Sequence, residues 1–164
     1  MSKTSAQPAT VYPENILWQW SRFRDLRPDD VYAVMQLRAA VFIVEQNCAY
    51  QDADGRDPSA WHLLGWLQGP DERTLVAYAR VFEPGIRYAE GSVGRVVTAA
   101  RVRRSGFGRA LMAEALRRLE SLAPGQPVRL AAQRYLEHFY SDLGFRTASE
   151  PYEEDGIMHV DMLR

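Results

Sequence analysis

Cysteine is nearly absent from this chain: Cys48 is the only one in 164 residues. An intramolecular disulfide is therefore impossible, and so is a thiolate metal cluster. Long hydrophobic runs are missing as well. The mean hydropathy is −0.35, and no apolar stretch approaches the roughly 20 residues that cross a bilayer. Residues 1–10 carry one Lys and no apolar segment, so they do not read as a secretory leader. They are expected to form a flexible tail before one domain over residues 11–164, in a reducing, cytoplasmic setting. A surplus of either charge is also lacking. Lys and Arg number 20 against 21 Asp and Glu, a net charge of −1. A protein that grips nucleic acid through its phosphates needs a basic surplus, so neither nucleic acid nor membrane is an expected partner. The chain is expected to act as a monomer or homodimer.

What is present is a globular composition, 46% hydrophobic and 25% charged, with enough length to bury one core. Patterning alternates between strand and helix. Residues 16–23 are aromatic-rich and predict a first strand. Pro28-Asp29-Asp30 opens a helix whose apolar positions include Val31, Val34, Met35, Val41 and Phe42. Strands follow over 61–67, 74–82 and 93–98, with Gly69-Pro70-Asp71 as one turn. Phe107, Leu111, Ala115, Leu119 and Leu122 form the strongest helical stripe, ended by Pro124-Gly125. A short strand over 128–132, a helix over 135–143 stopped by Gly144, and two final strands complete the chain. This order predicts an α/β (α+β mixed) fold: a mixed, mostly antiparallel sheet of about seven strands with helices on both faces.

The sharpest local feature is Arg103-Arg104-Ser105-Gly106-Phe107-Gly108, between a strand and the strongest helix. Glycines at a helix start let backbone approach a ligand, and the free N–H groups there favour an anion. Arg101, Arg103, Arg104 and Arg109 place four cations at an end that ordinarily prefers carboxylates. A solvated basic turn is the competing reading. No Walker-type loop occurs, and Gly106-Phe107-Gly108 runs on to Arg109, Ala110 and Leu111 without the third glycine of a dinucleotide fingerprint.

Arg103-x-x-Gly106-x-Gly108, after the strand segment Val96-Val97-Thr98, resembles motif A of the GNAT N-acetyltransferases. Phe139-Tyr140-Ser141-Asp142-Leu143-Gly144-Phe145 resembles motif B of the same family. The run from Leu37 to Gln46, the spacing Asp52-x-Asp54-x-x-Asp57, Trp61-His62-Leu63, Gly94-Arg95-Val96 and Glu154-Asp155-Gly156-Ile157-x-His159 look like its ElaA-like branch. Ala100 stands where that branch usually has Pro. The resemblance implies acetyl-CoA as cosubstrate and no metal. It implies backbone contacts to pyrophosphate from Arg103 to Arg109, a carbonyl contact from Val96, Val97 and Thr98, and an amide contact to the pantetheine arm from Gln133.

Acetyl transfer to an amine needs a protonated leaving sulfur and a proton acceptor. A phenol is protonated at neutral pH and can donate. The resemblance places Tyr140 near the coenzyme sulfur, as acid; a core tyrosine is the alternative. Glu45, His62 and His159 are the candidate bases, or else a chain of water. His138 reads as surface or core filler. Asp52, Asp54 and Asp57 read as a solvated acidic loop, because the twelfth position counted from Asp52 is Leu63 and not the Glu a calcium loop needs. If residues 45–57 and 150–155 border the acceptor cleft, a cationic amine is the expected guest. The leading expectation is an acetyl-CoA-dependent N-acetyltransferase acting on a primary amine. The alternatives are a non-catalytic acyl-CoA-binding module and, through Arg38 and Phe42, a protein resembling acyl-homoserine-lactone synthases.

Overall fold

A computed structural model describes residues 13–164; the proposed tail over 1–10 lies outside the described residues. The chain builds one eight-stranded sheet. Strands β1 (Ile16–Arg22), β2 (Trp61–Gln68), β3 (Arg73–Phe82) and β4 (Gly91–Thr98) form an antiparallel meander in sequence order. Strand β5 (Val128–Gln133) joins β4 in parallel, and β8 (Ile157–Leu163) pairs antiparallel with β5. The short strands β6 (Arg146–Thr147) and β7 (Tyr152–Glu154) both pair with β8. The two final strands expected are β6 and β8; β7, of three residues, is too brief to show a period, so eight strands form where about seven were expected. Asp155 and Gly156, both at positive φ (52° and 78°), make the tight β7–β8 turn that brings this hairpin back on itself.

Helices cover both faces, as the alternation predicts. Helix α1 (Pro28–Arg38) starts with Pro in its first turn and Asp29 and Asp30 at its positive end. It runs on without a break into a π-helical segment, Ala39–Glu45. Val34, Leu37 and Val41 bury themselves against Leu64, Trp66, Tyr78 and Val97. Helix α2 (Phe107–Leu122) covers the opposite face. Phe107, Leu111, Met112, Ala115 and Leu119 pack there on Val76, Val81, Val93 and Leu130. The predicted stripe is confirmed except at its end, where Leu122 is exposed. The last helix, α3 (Glu137–Ser141), is shorter than predicted because Arg134–Leu136 coil as a 3₁₀ turn. Gly144, at φ 89°, closes it, and Phe145 N–H donates to the carbonyl of Tyr140.

Two local departures shape β4 and its neighbours. At Gly65 a side chain would stand 2.5 Å from Ile16 Cδ1 and 2.8 Å from Trp18, so only glycine lets β1 close on β2. In β4, Val97 pairs with Tyr78 but Gly94 pairs with Arg80, so three steps on β4 face two on β3. The extra residue bulges, with Arg95 at φ 51°.

Candidate active site

The parallel pairing of β4 and β5 ends almost where it begins. Only Gly91↔Val128 and Ser92↔Arg129 are in register. Beyond them the strands diverge, leaving a slot inside the sheet on the face that carries α1. The slot is part of a cavity of about 630 Å³, walled by β4, by the end of the π-helical segment, and by Gln133, Tyr140 and His159. That volume suits a small-molecule site.

Of the residues picked from motif A, Val96, Val97, Thr98 and Arg103 line this cavity. Arg104 to Arg109 carry the chain on from Arg103 into α2 and are not part of the cavity wall. Gly106, at φ 84°, is the residue before the helix, and no side chain caps the first N–H groups. The first turn contains no acid. Phe107 is fully buried, so it has only backbone to offer a ligand. A side chain on Gly108 would meet the Phe139 ring at 3.5 Å. Arg103 is tied to Glu45 by two hydrogen bonds, one of 2.9 Å, and its guanidinium also reaches the Thr98 carbonyl. Arg109 pairs with Asp142 at 2.6 Å. Both cations are thus held near the helix start.

Tyr140 is buried in the wall of the slot, edge-on to Phe139 and Phe145. Burial pushes its phenol pKa up, so the hydroxyl keeps its proton. Gln133, at the end of β5, exchanges amide hydrogen bonds with Gln46 at 3.1 and 3.3 Å. His159 stands opposite Gln133 on β8 and stacks on Tyr152. Its Nδ1 lies 2.8 Å from the Ile157 carbonyl. A carbonyl can only accept, so Nδ1 donates, and Nε2 has no hydrogen-bond partner among the described residues. Glu45 also lines the cavity, but the hydrogen bond from Arg103 holds its carboxyl below the usual range.

His62 lies elsewhere. It is 1% exposed and absent from the cavity wall. Its Nε2 donates to the Asp57 carbonyl and its Nδ1 accepts from Tyr78, both at 2.9 Å. Desolvation lowers its pKa, outweighing the nearby carboxylate, so the ring is neutral. His138 is at the surface beside Asp142.

The solvated acidic loop expected over residues 52–57 does not form. Asp52, Asp54 and Asp57 are not solvated charges; they anchor a buried network. Asp57 accepts from both Arg38 (2.8 Å) and Arg80 (2.9 Å), which are fully buried. Arg80 also forks onto the two Asp54 oxygens at 2.7 Å. Asp52 takes Arg38 on one oxygen and Arg95 on the other, both at 2.7 Å, with Tyr50 at 2.8 Å. Burial alone would raise the Asp52 pKa, but Arg38, Tyr50 and Arg95 outweigh it and hold the carboxyl below its ordinary value. The network therefore ties the loop to α1, to β3 and to the bulge of β4. It also removes most of the acidity expected of the cleft. Asp54 and Glu45 reach the cavity already paired, while Glu154 and Asp155 line it with no ion pair among the described residues.

Comparison with known proteins agrees with this geometry. A sequence profile described as an acetyltransferase (GNAT) domain matches residues 70–164. Protein ElaA of Escherichia coli is 42% identical over 151 residues, 91% of this chain and 96% of that one. A UPF0039 protein of Synechocystis is 39% identical over 90% of this chain and 94% of its own length. The crystal structure of Escherichia coli ElaA superposes with a TM-score of 0.82, covering 91% of this chain and 99% of that one at 41% identity. An acyl-CoA N-acyltransferase from Pseudomonas aeruginosa superposes equally well, TM-score 0.82 at 39% identity, over 90% of this chain and 98% of that one. With the splayed strands, the glycine-opened helix and these relatives in agreement, the chain belongs to the GNAT acyltransferase family, in the group of ElaA and the UPF0039 proteins.

Proposed function

We propose that the protein is an N-acetyltransferase that moves the acetyl group of acetyl-CoA to a primary amine by direct attack. The observation that carries this reading is the slot itself. Arg103 in its wall leads within four residues to the uncapped start of α2, a place for pyrophosphate. Its wall holds the proton-bearing hydroxyl of Tyr140.

In this reading the loop from Arg103 to Arg109 binds the pyrophosphate through backbone N–H groups, with Arg104 and Arg109 adding charge. Gln133 exchanges its bond to Gln46 for one to the pantetheine arm. The β4 edge beyond Ser92 has no β5 partner, so Val96 and Val97 can offer backbone N–H to the thioester carbonyl. The amine attacks that carbonyl carbon, a C–N bond forms, and the oxyanion is held by the strand. The C–S bond then breaks and Tyr140 protonates the departing sulfur. His159 Nε2, which has no hydrogen-bond partner among the described residues, takes the proton that the amine loses. Glu45 serves to hold Arg103, and His62 serves to hold Tyr78 and the loop at Asp57.

Thiol release from acetyl-CoA in the presence of an amine panel tests the reaction, and thermal denaturation with and without CoA tests the binding. A ligand at 100 times its Kd stabilises by about 2.7 kcal/mol. CoA binding with turnover on an amine is expected. No stabilisation by CoA overturns the reading outright; binding without turnover leaves a non-catalytic coenzyme-binding protein.

A further inference from the structure

Four arginines line the cavity: Arg56, Arg87, Arg95 and Arg103. Arg95 and Arg103 are each engaged by carboxylates of the chain. Arg87 is not. Every Asp and Glu of the sequence lies among the described residues, and none of them pairs with it. Its guanidinium lies over the Tyr88 ring, 5.0 Å from the centroid. Its Nη1 sits beside Gly94, where a side-chain Cβ would stand 3.6 Å away. Arg87 Nε is buried and has no hydrogen-bond partner. Ser92, in the same wall and only 2% exposed, also has a buried hydroxyl without a partner. Buried polar groups almost always find partners, so two orphans facing one cavity ask for a third party. A fork of N–H donors and a hydroxyl in one cavity wall match a carboxylate.

We infer that the amine acceptor is a small amino acid, and that Arg87 and Ser92 bind its carboxylate. This rests on the acetyltransferase reading above. Position fits as well as chemistry. Gly94, under the guanidinium, lies two residues before Val96, about 7 Å along the strand. A carboxylate held there leaves its amine, a few bonds away, at the thioester carbonyl. Exposed Arg56 also lines the cavity and adds a second cation with no ion pair among the described residues. Glu154 and Asp155, on the β7–β8 turn, face the cavity beyond His159 and favour the ammonium form of an arriving amine. The cleft thus has the charge separation of a zwitterion's complement, rather than the uniform acidity that suits a polyamine.

The experiment compares each member of an amino acid panel, including glycine, β-alanine and 4-aminobutyrate, with its own carboxamide. Thiol release gives kcat/KM, and calorimetry in saturating CoA gives binding of the same compounds. The acid is expected to exceed its amide by about 10- to 100-fold, the worth of a charge-assisted contact. Arg87→Met is expected to collapse that ratio towards one, mainly through KM. Arg87→Lys should retain part of it, and Ser92→Ala should lower it less. A melting curve for each variant separates lost recognition from lost folding. Amides used as well as acids, or a ratio unchanged in Arg87→Met, overturn the inference and leave acetyl transfer standing. So does a preference for 2-aminoethylphosphonate over β-alanine, which would make the anion a phosphonate. If CoA binds but no amine turns over, acetyl transfer fails, and calorimetry decides the rest. Acids that bind the wild type but not Arg87→Met support carboxylate recognition, and acids that bind neither overturn it.

Discussion

Asp52→Asn removes one charge from the middle of the buried network while keeping the side chain's shape. One Asp52 oxygen accepts from Arg38 Nε and the other from Arg95 Nε, each at 2.7 Å. In the variant one of these positions becomes an NH₂ group, so a donor faces a donor. Arg38 is fully buried and cannot turn to water, and Asp52 itself is 11% exposed. Breaking a buried pair by removing one partner costs about 3–5 kcal/mol. Arg95 is 19% exposed, so its share is the smaller one. With a urea slope of about 2 kcal/mol/M, the unfolding midpoint should fall by about 1.5–2.5 M. Urea titration followed by tryptophan fluorescence measures it directly. Arg38→Met alone should be similarly damaging, because it takes from Asp52 and from Asp57 one of the two arginines that each carboxylate holds. The double variant should lose less than the sum of the two singles, by about 1–3 kcal/mol. A midpoint shift below about 0.5 M, or strict additivity, would refute the claim that the pair acts as a buried unit.

Tyr140→Phe should lower turnover by about 100-fold or more while CoA affinity stays unchanged, as thiol release and CoA-dependent melting would show. Gly106→Val forces a branched side chain into φ 84°; it should cost about 1–2 kcal/mol and abolish the CoA-dependent shift in melting temperature. Gly65→Ala sets a methyl 2.5 Å from Ile16 and should destabilise by about 1–3 kcal/mol, visible as a lower Tm with kinetics intact. Asp52 and Asp54 both have depressed folded-state pKa values; burial opposes this, but the arginines outweigh it. Their stabilisation is complete above the unfolded carboxylate pKa of about 3.9 and disappears as pH falls through the lower folded values. Urea midpoints should therefore be steady above about pH 5 and collapse below about pH 4, with a smaller collapse in Asp52→Asn.

Much of the architecture was legible because punctuation and period agree. Gly69-Pro70 and Gly144 end elements where expected, and the Phe107–Leu119 stripe buries as its spacing predicts. Motifs A and B are legible because both are local strings tied to one turn and one short helix, and each sends one residue, Arg103 and Tyr140, into the cavity wall. The buried network was not legible, because its ion pairs join residues far apart in sequence. Asp52 looks solvated until Arg38 and Arg95 are brought to it. A signal did exist: Arg80 sits inside Leu75–Phe82, where every neighbour is buried, and a charge there needs a counter-charge. His62 was attractive as a base for the same reason that it is not placed as one. It lies in an apolar strand, and that strand seals it in. Arg87 gave no hint at all, since the absence of a partner can be seen only when every carboxylate has been located.

The divergence of β4 from β5 has a consequence for solubility. A sheet ordinarily exposes two margins, but this one opens a second pair of margins along its own middle. Unpaired strand margins recruit foreign strands and so promote aggregation. Here that hazard is met by enclosure. Gln46, just past the π-helical segment, is hydrogen-bonded to Gln133 at the end of β5 and so bridges the gap. A slim, chain-like guest can still enter. The same bridge thus keeps one copy of the protein from zipping onto the next.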